Sequence, residues 1–164
     1  MSSQKPVPAD LAAGKEIVPL EDDDILQRLH SIGGHEHAAG LLGFRPLGFS
    51  VQEQWLEANF DPDPRCANLR GGVQGGMICA MLDEVMSLSV VVAERFTIGV
   101  PTLELKTSFM APLPLGVCKA RGQALRIGRN VAFMEGIVWT AEGEIAARAS
   151  ATCQVRRSSR IRKT

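Results

Sequence analysis

Asn68-Leu-Arg-Gly-Gly-Val-Gln-Gly-Gly-Met-Ile-Cys-Ala-Met-Leu-Asp-Glu-Val-Met-Ser87 is the stretch that decides the fold. Gly71, Gly72, Gly75 and Gly76 crowd its first half, giving backbone that bends where other residues resist. From Met77 to Ala93 no Gly or Pro follows, and apolar residues fall on every side of the helix this run predicts. A helix apolar all round is either buried or membrane-spanning. Asp83, Glu84 and Ser87 interrupt it, and spanning takes about 20 apolar residues. The reading is therefore a glycine-rich turn feeding a buried core helix, with no membrane partner. A carboxylate inside such a helix is costly unless it is paired, hydrated or functional.

Towards the C-terminus, four runs alternate with period two. In 102–110, Thr102, Glu104, Lys106 and Ser108 alternate with Leu103, Leu105 and Phe109. The same pattern marks 117–125, 130–140 and 144–154. The breaks at Pro112-Leu-Pro114-Leu-Gly116, Arg126-Ile-Gly128-Arg129 and Ala141-Glu-Gly143 are short, which favours an antiparallel meander.

Towards the N-terminus, Asp61-Pro62-Asp63-Pro64 is a firm break. Ahead of it, 41–50 and 51–59 read as two strands. Glu21-Asp22-Asp23-Asp24 places acids at a helix start, where the macrodipole favours them. A short helix over 22–32 follows, packing on the sheet or covering the site. Strand, strand, long helix and four strands make an α+β class in which an antiparallel sheet wraps the helix. Residues 1–20 read as a flexible arm, 21–155 as one domain and 156–164 as a basic flexible tail.

A chain of 164 residues suits one domain with a sizeable core. Lys+Arg and Asp+Glu number 18 each, so no whole-chain field points to nucleic acid. Cys66, Cys79, Cys118 and Cys153 are scattered, with no C-x-x-C pair and no nearby His, which argues against a metal site and a disulfide framework. Cys79 and Cys153 read as buried packing residues. His35 and His37 lack helical zinc spacing and read as a loop, and His30 as the exposed side of the short helix. The polar N-terminus lacks the apolar run of a signal peptide, so a cytoplasmic location is expected.

The segment from Asn68 to Asp83 resembles the motif of the hotdog-fold acyl-CoA thioesterases of the phenylacetate-pathway (PaaI-like) type. That motif is an Asn, a short Gly-containing turn, His-Gly-Gly, and an acid nine residues after the His. Here the Asn is Asn68, the pair is Gly75-Gly76 and the acid is Asp83, while Gln74 stands at the His position. The similarity runs from about Gly40 to Val155. It implies a hotdog fold and an acyl-CoA substrate, aryl- or medium-chain by analogy. It also implies no cofactor beyond the substrate's own CoA, and a homodimer or dimer of dimers with active sites between protomers. Asn68 would lie near the thioester with the glycine, Thr102 beside the acid of the facing subunit, and Arg129 near CoA.

Thioester hydrolysis needs a polarised carbonyl, an activated water or attacking carboxylate, and a hold on CoA. Free N–H groups at a helix start meet the first need, with Gly75 or Gly76 as donor because no side chain blocks approach. Asp83 meets the second, as general base or nucleophile; its bland alternative is a core ion pair. Glu84 points about 100° away from it. Gly75 and Asp83 are about 12 Å apart along one helix at 1.5 Å per residue, too far to share one carbonyl carbon. If both act, Gly75 comes from one subunit and Asp83 from another.

Gln74 can hydrogen-bond but cannot share a proton, so it either positions substrate or merely begins the helix. Ser87, one turn past Asp83 on the same face, either positions substrate or packs. Arg126, Arg129 and Arg70, placed in loops, either hold CoA phosphates or are solvated. Two activities stay open: a thioesterase, and a non-catalytic acyl-CoA or acyl-ligand binding protein on the same fold. A hotdog dehydratase fits less well, because the Asp/His pair of that group is missing at its spacing.

Overall fold

The structure is a computed structural model, describing residues 20–34 and 36–157. The N-terminal arm up to residue 19, His35 and the tail from 158 lie outside the described residues. In chain order the elements are α1 (Asp22–Gly33), α2 (Ala38–Leu41), β1 (Arg45–Ser50), β2 (Trp55–Phe60), α3 (Gly75–Ala93), β3 (Ile98–Gly99), β4 (Thr102–Phe109), β5 (Cys118–Ile127), β6 (Val131–Trp139), β7 (Ile145–Gln154) and β8 (Arg156–Arg157). Six strands form one sheet in the order β1-β2-β5-β6-β7-β4, antiparallel at every step. This sheet wraps α3, as the hotdog reading expects.

Size complementarity explains why the helix sits inside. The sheet's inner face is built from small residues such as Ala120, Ala124, Ala132 and Ala149, all buried. The helix supplies the bulk: Met81, Leu82, Val85 and Met86 are fully buried. Burying each such side chain contributes about 1.5–3 kcal/mol. Contact is closest at Gly122 of β5, where a Cβ would collide with the Val85 carbonyl. At Gly136 of β6 a Cβ would meet Met86 Cγ at 2.8 Å. By length and composition alone α3 is apolar enough to cross a membrane. Here the sheet takes that apolar surface, and Ile25 and Leu29 of α1 join the same core.

The chain differs from its sequence reading in four places. The first strand begins at Arg45 rather than residue 41, because 38–41 is the single helical turn α2 and Gly43 reverses the chain at φ +65°. The second strand begins at Trp55, after a turn through Gln54 at φ +60°. Order extends past Val155, since Arg156 and Arg157 pair with Gly99 and Ile98 and Arg157 bonds Glu94 at 2.6 Å. Finally, Cys79 is only half-buried, whereas Cys66, Cys118 and Cys153 are buried.

Candidate active site

The glycine-rich turn is held by its own backbone and by Asn68. Asn68 N–H donates to the Gly72 carbonyl at 2.7 Å and Gly71 N–H to the Asn68 carbonyl at 3.0 Å. Gly71 sits at φ +85°, which glycine adopts without strain. Asn68 Oδ1 accepts from Arg70 N–H at 2.8 Å, and Nδ2 donates to the Val73 carbonyl at 3.4 Å. The Asn68 side chain therefore spans the turn. Val73 N–H donates to Leu113, docking the turn on the loop after β4.

At the start of α3, Gln74 is the N-cap: its Oε1 accepts from Gly76 N–H at 2.6 Å. That uses one of the two candidate glycine donors. The Gly75 N–H bonds to nothing among the described residues. It is one of the orphan donors a helix N-terminus always leaves.

Gly75, Cys79 and Asp83 follow one another at successive turns of α3 and face β4. The Phe109 ring lies over Gly75, with Cζ 3.3 Å from where a Cβ would stand. The Cys79 thiol donates to Thr107 Oγ1 at 3.4 Å. Thr102 Oγ1 donates to Asp83 Oδ1 at 2.6 Å. Strict alternation would put Thr102 with Lys106 and Ser108 on the sheet's outer face. A register shift between Thr102 and Glu104 changes that parity and turns Thr102 towards the helix.

Charge around Asp83 leaves its mark on the neighbours. Burial, and then the Asp83 carboxylate beside it, push the Glu84 carboxyl above its ordinary range. Glu84 makes no hydrogen bond or ion pair among the described residues. The Cys153 thiol on β7 is pushed up mainly by burial, with a contribution from Asp83. Asp83 itself has no Lys or Arg partner among the described residues, so the alternative to a functional role, a core ion pair, does not form there.

The structure thus gathers the sequence-predicted residues into two groups. Asn68, Gln74, Gly75 and Gly76 stand at the start of α3, and Asp83 with Thr102 stands about 12 Å along it at 1.5 Å per residue. Ser87 is half-buried one turn further on. Arg70 in the glycine turn and Arg129 in the β5–β6 turn lie in loops as expected, whereas Arg126 does not, because β5 continues past a register shift to Ile127 and pairs Arg126 with Phe133. All three are exposed and form no ion pair among the described residues. Alternation alone did not single out Phe109, Thr107 and Cys79. The available signal was parity: Phe109 and Leu105 share a strand face, and Cys79 lies midway between Gly75 and Asp83. A cavity of about 360 Å³ lies away from this seam, against outward-facing Lys106, Gln123, Arg148 and Ser150. No three His, Cys, Asp or Glu side chains converge as a metal site among the described residues.

The thioesterase superfamily profile matches residues 71–147. Among solved structures, a candidate thioesterase and phenylacetic acid degradation-related protein of Ralstonia eutropha JMP134 is 33% identical. That match has a TM-score of 0.69 and covers 74% of this chain and 91% of that one. A thioesterase of Haemophilus influenzae superposes with TM-score 0.72 at 23% identity, covering 80% of this chain and 90% of that one. A Streptococcus mutans protein solved with acetyl CoA gives TM-score 0.62 at 19% identity, covering 70% and 91%. The last two likenesses bear on the fold alone. No curated protein matches the sequence.

Proposed function

The chain belongs to the thioesterase superfamily, and on that premise we propose that it hydrolyses an acyl-CoA thioester to the free acid and CoA. One observation carries the reading: α3 holds an unbonded Gly75 N–H at one end of its β4-facing stripe and the Thr102-bound Asp83 carboxylate at the other. One chain therefore offers each half of a hydrolytic site, about 12 Å apart along the helix. Two chains related by a twofold axis, with their α3 helices antiparallel, would set Gly75 of one against Asp83 of the other and complete two sites. The outer edge of β4 supports such pairing. It is an eight-residue edge strand with Leu103 exposed, and such edges call for cover.

In this site the thioester oxygen accepts from Gly75 N–H, which faces the charge that develops on that oxygen. Asp83 takes a proton from water as the water oxygen bonds to the carbonyl carbon. Thr102 holds Oδ1, which leaves Oδ2 for the water. The tetrahedral intermediate then collapses, the C–S bond breaks, and CoA leaves as the thiol after taking up a proton. Direct attack by Asp83, with hydrolysis of the resulting anhydride, gives the same products. Asn68 braces the glycine turn and Gln74 fixes the helix start. Ser87 borders the acyl group, and exposed Arg126 and Arg129 suit CoA phosphates. The Ralstonia eutropha protein, related to phenylacetic acid degradation, supports an aryl acyl group. We place the homodimer, or a dimer of dimers, in the cytoplasm, with no cofactor besides the substrate's CoA.

Gln74 favours a second reading, an acyl-CoA binder without turnover, because an amide at this position cannot share a proton and its Oε1 already accepts from Gly76 N–H. The test is release of free CoA thiol from short, medium, long and aromatic acyl-CoAs, with wild type and Asp83→Asn side by side. Turnover that falls about 10²- to 10⁴-fold in the variant, with CoA still bound, supports the hydrolase. Binding without turnover on every member supports the binder.

A further inference from the structure

Phe109 is 54% exposed, and Met110 beside it 57%. Single exposed apolar side chains are ordinary. This ring, however, lies against the one residue whose N–H is free at the start of α3. Its Cζ and Cε1 stand 3.3 and 3.5 Å from where a Cβ of Gly75 would be. Its backbone is fixed: Phe109 pairs with Ala147, and Met110 N–H donates to the Ala146 carbonyl at 2.8 Å. The side-chain volume that Gly75 lacks is thus supplied by an aromatic ring on a rigid strand, with one face still open.

We propose that Phe109 is a specificity-determining residue, selecting acyl groups unbranched at the carbon next to the thioester carbonyl. The proposal rests on the thioesterase reading above. An oxygen accepting from Gly75 N–H lies about 2.9 Å from that nitrogen. The carbonyl carbon and its next carbon then fall within van der Waals reach of the ring. The ring presents apolar surface, which suits the acyl side of the thioester rather than the polar pantetheine arm. A CH₂ at that carbon packs flat against the ring, whereas a methyl branch or a directly attached ring drives into it. One methylene in an apolar pocket changes selection by about 10- to 200-fold.

The experiment measures kcat/KM for butyryl-, isobutyryl-, phenylacetyl- and benzoyl-CoA with wild type, Phe109→Leu and Phe109→Ala. Wild type is expected to favour butyryl over isobutyryl, and phenylacetyl over benzoyl, by tenfold or more. Phe109→Ala should shrink both ratios at least tenfold, with Phe109→Leu between. A general loss of folding lowers all four substrates together and leaves the ratios alone. Equal losses on all four, or no preference in wild type, overturn the proposal. If wild type hydrolyses none of these four, the thioesterase reading is decided separately, by the wider short-, medium-, long-chain and aromatic panel. Dissociation constants for the same four compounds, in wild type and Phe109→Ala, then decide the role of Phe109: an unchanged ranking overturns it.

Discussion

Thr102 and Asp83 are joined by a 2.6 Å hydrogen bond from hydroxyl to carboxylate, across the seam between β4 and α3. The bond exists because β4 changes parity between Thr102 and Glu104. The hydroxyl spends its proton on Oδ1 and so orients the carboxylate plane. Hydrogen bonds to charged groups contribute about 1.5–3 kcal/mol, and 1.36 kcal/mol is tenfold in rate. Thr102→Val is therefore expected to lower kcat about 10- to 150-fold while Thr102→Ser keeps most of it. Thiol-release kinetics check this. Equal activity in the Val variant would mean that the bond does not position Asp83.

The Gly122–Val85 approach makes a sharper claim about the fold. A Cβ on Gly122 meets helix backbone, which cannot swing aside as a side chain can. At Gly136 the obstacles are Met86 and Leu82 side-chain atoms. Overpacking a well-filled core costs about 1–3 kcal/mol, occasionally more. Gly122→Ala should exceed that range, by losing the folded state or by pushing α3 off the sheet, and Gly136→Ala should fall within it. Urea denaturation of both variants decides, and an equal cost at the two sites would contradict the close backbone contact.

Much of this architecture was legible because burial imposes a period. The apolar run after Gly76 and the four alternating segments gave α3 and β4 to β7 to within about three residues at each end. The misses have physical causes. Helix α2 is one turn long, too short for periodicity to register. The basic Arg156-Arg157 read as tail, but backbone pairing is indifferent to side-chain charge, and Glu94 bonds Arg157. Asp83 was legible as a carboxylate in an apolar helix, whereas its bond to Thr102 depends on a bulge that alternation cannot display. The Phe109–Gly75 contact was silent for another reason: glycine has no side chain to register a neighbour.

Glu84 predicts a pH dependence of stability. Burial raises its folded pKa above the ordinary 4.5, with the Asp83 charge adding to the effect. The native state therefore binds this proton more tightly than the unfolded chain does, and stability falls as pH rises from the unfolded value through the folded one. Above both values the ionised Glu84 costs stability in full. Glu84→Gln is therefore expected to melt higher than wild type at pH 7.5, with the gap closing below about pH 4.5. Scanning calorimetry at pH 4 and 7.5 reads the difference. A gap independent of pH would locate the effect in packing rather than charge.

Thiol chemistry offers an independent view of the seam. Burial pushes the Cys118 thiol up to about 11 and raises those of Cys66 and Cys153 as well. All three are buried, and a protonated, covered thiol reacts slowly. Cys79 is half-exposed and bonded to Thr107 midway between Gly75 and Asp83. Ellman's reagent at pH 8 is thus expected to modify one thiol per native chain quickly, and the remaining three only after guanidinium unfolding. Cys79→Ser should abolish the fast phase. If acyl-CoA lies along the seam, saturating ligand should also slow that phase in wild type, through steric cover. A fast phase that survives Cys79→Ser would place the accessible thiol elsewhere, and one that ligand leaves untouched would place the acyl group away from the α3–β4 seam.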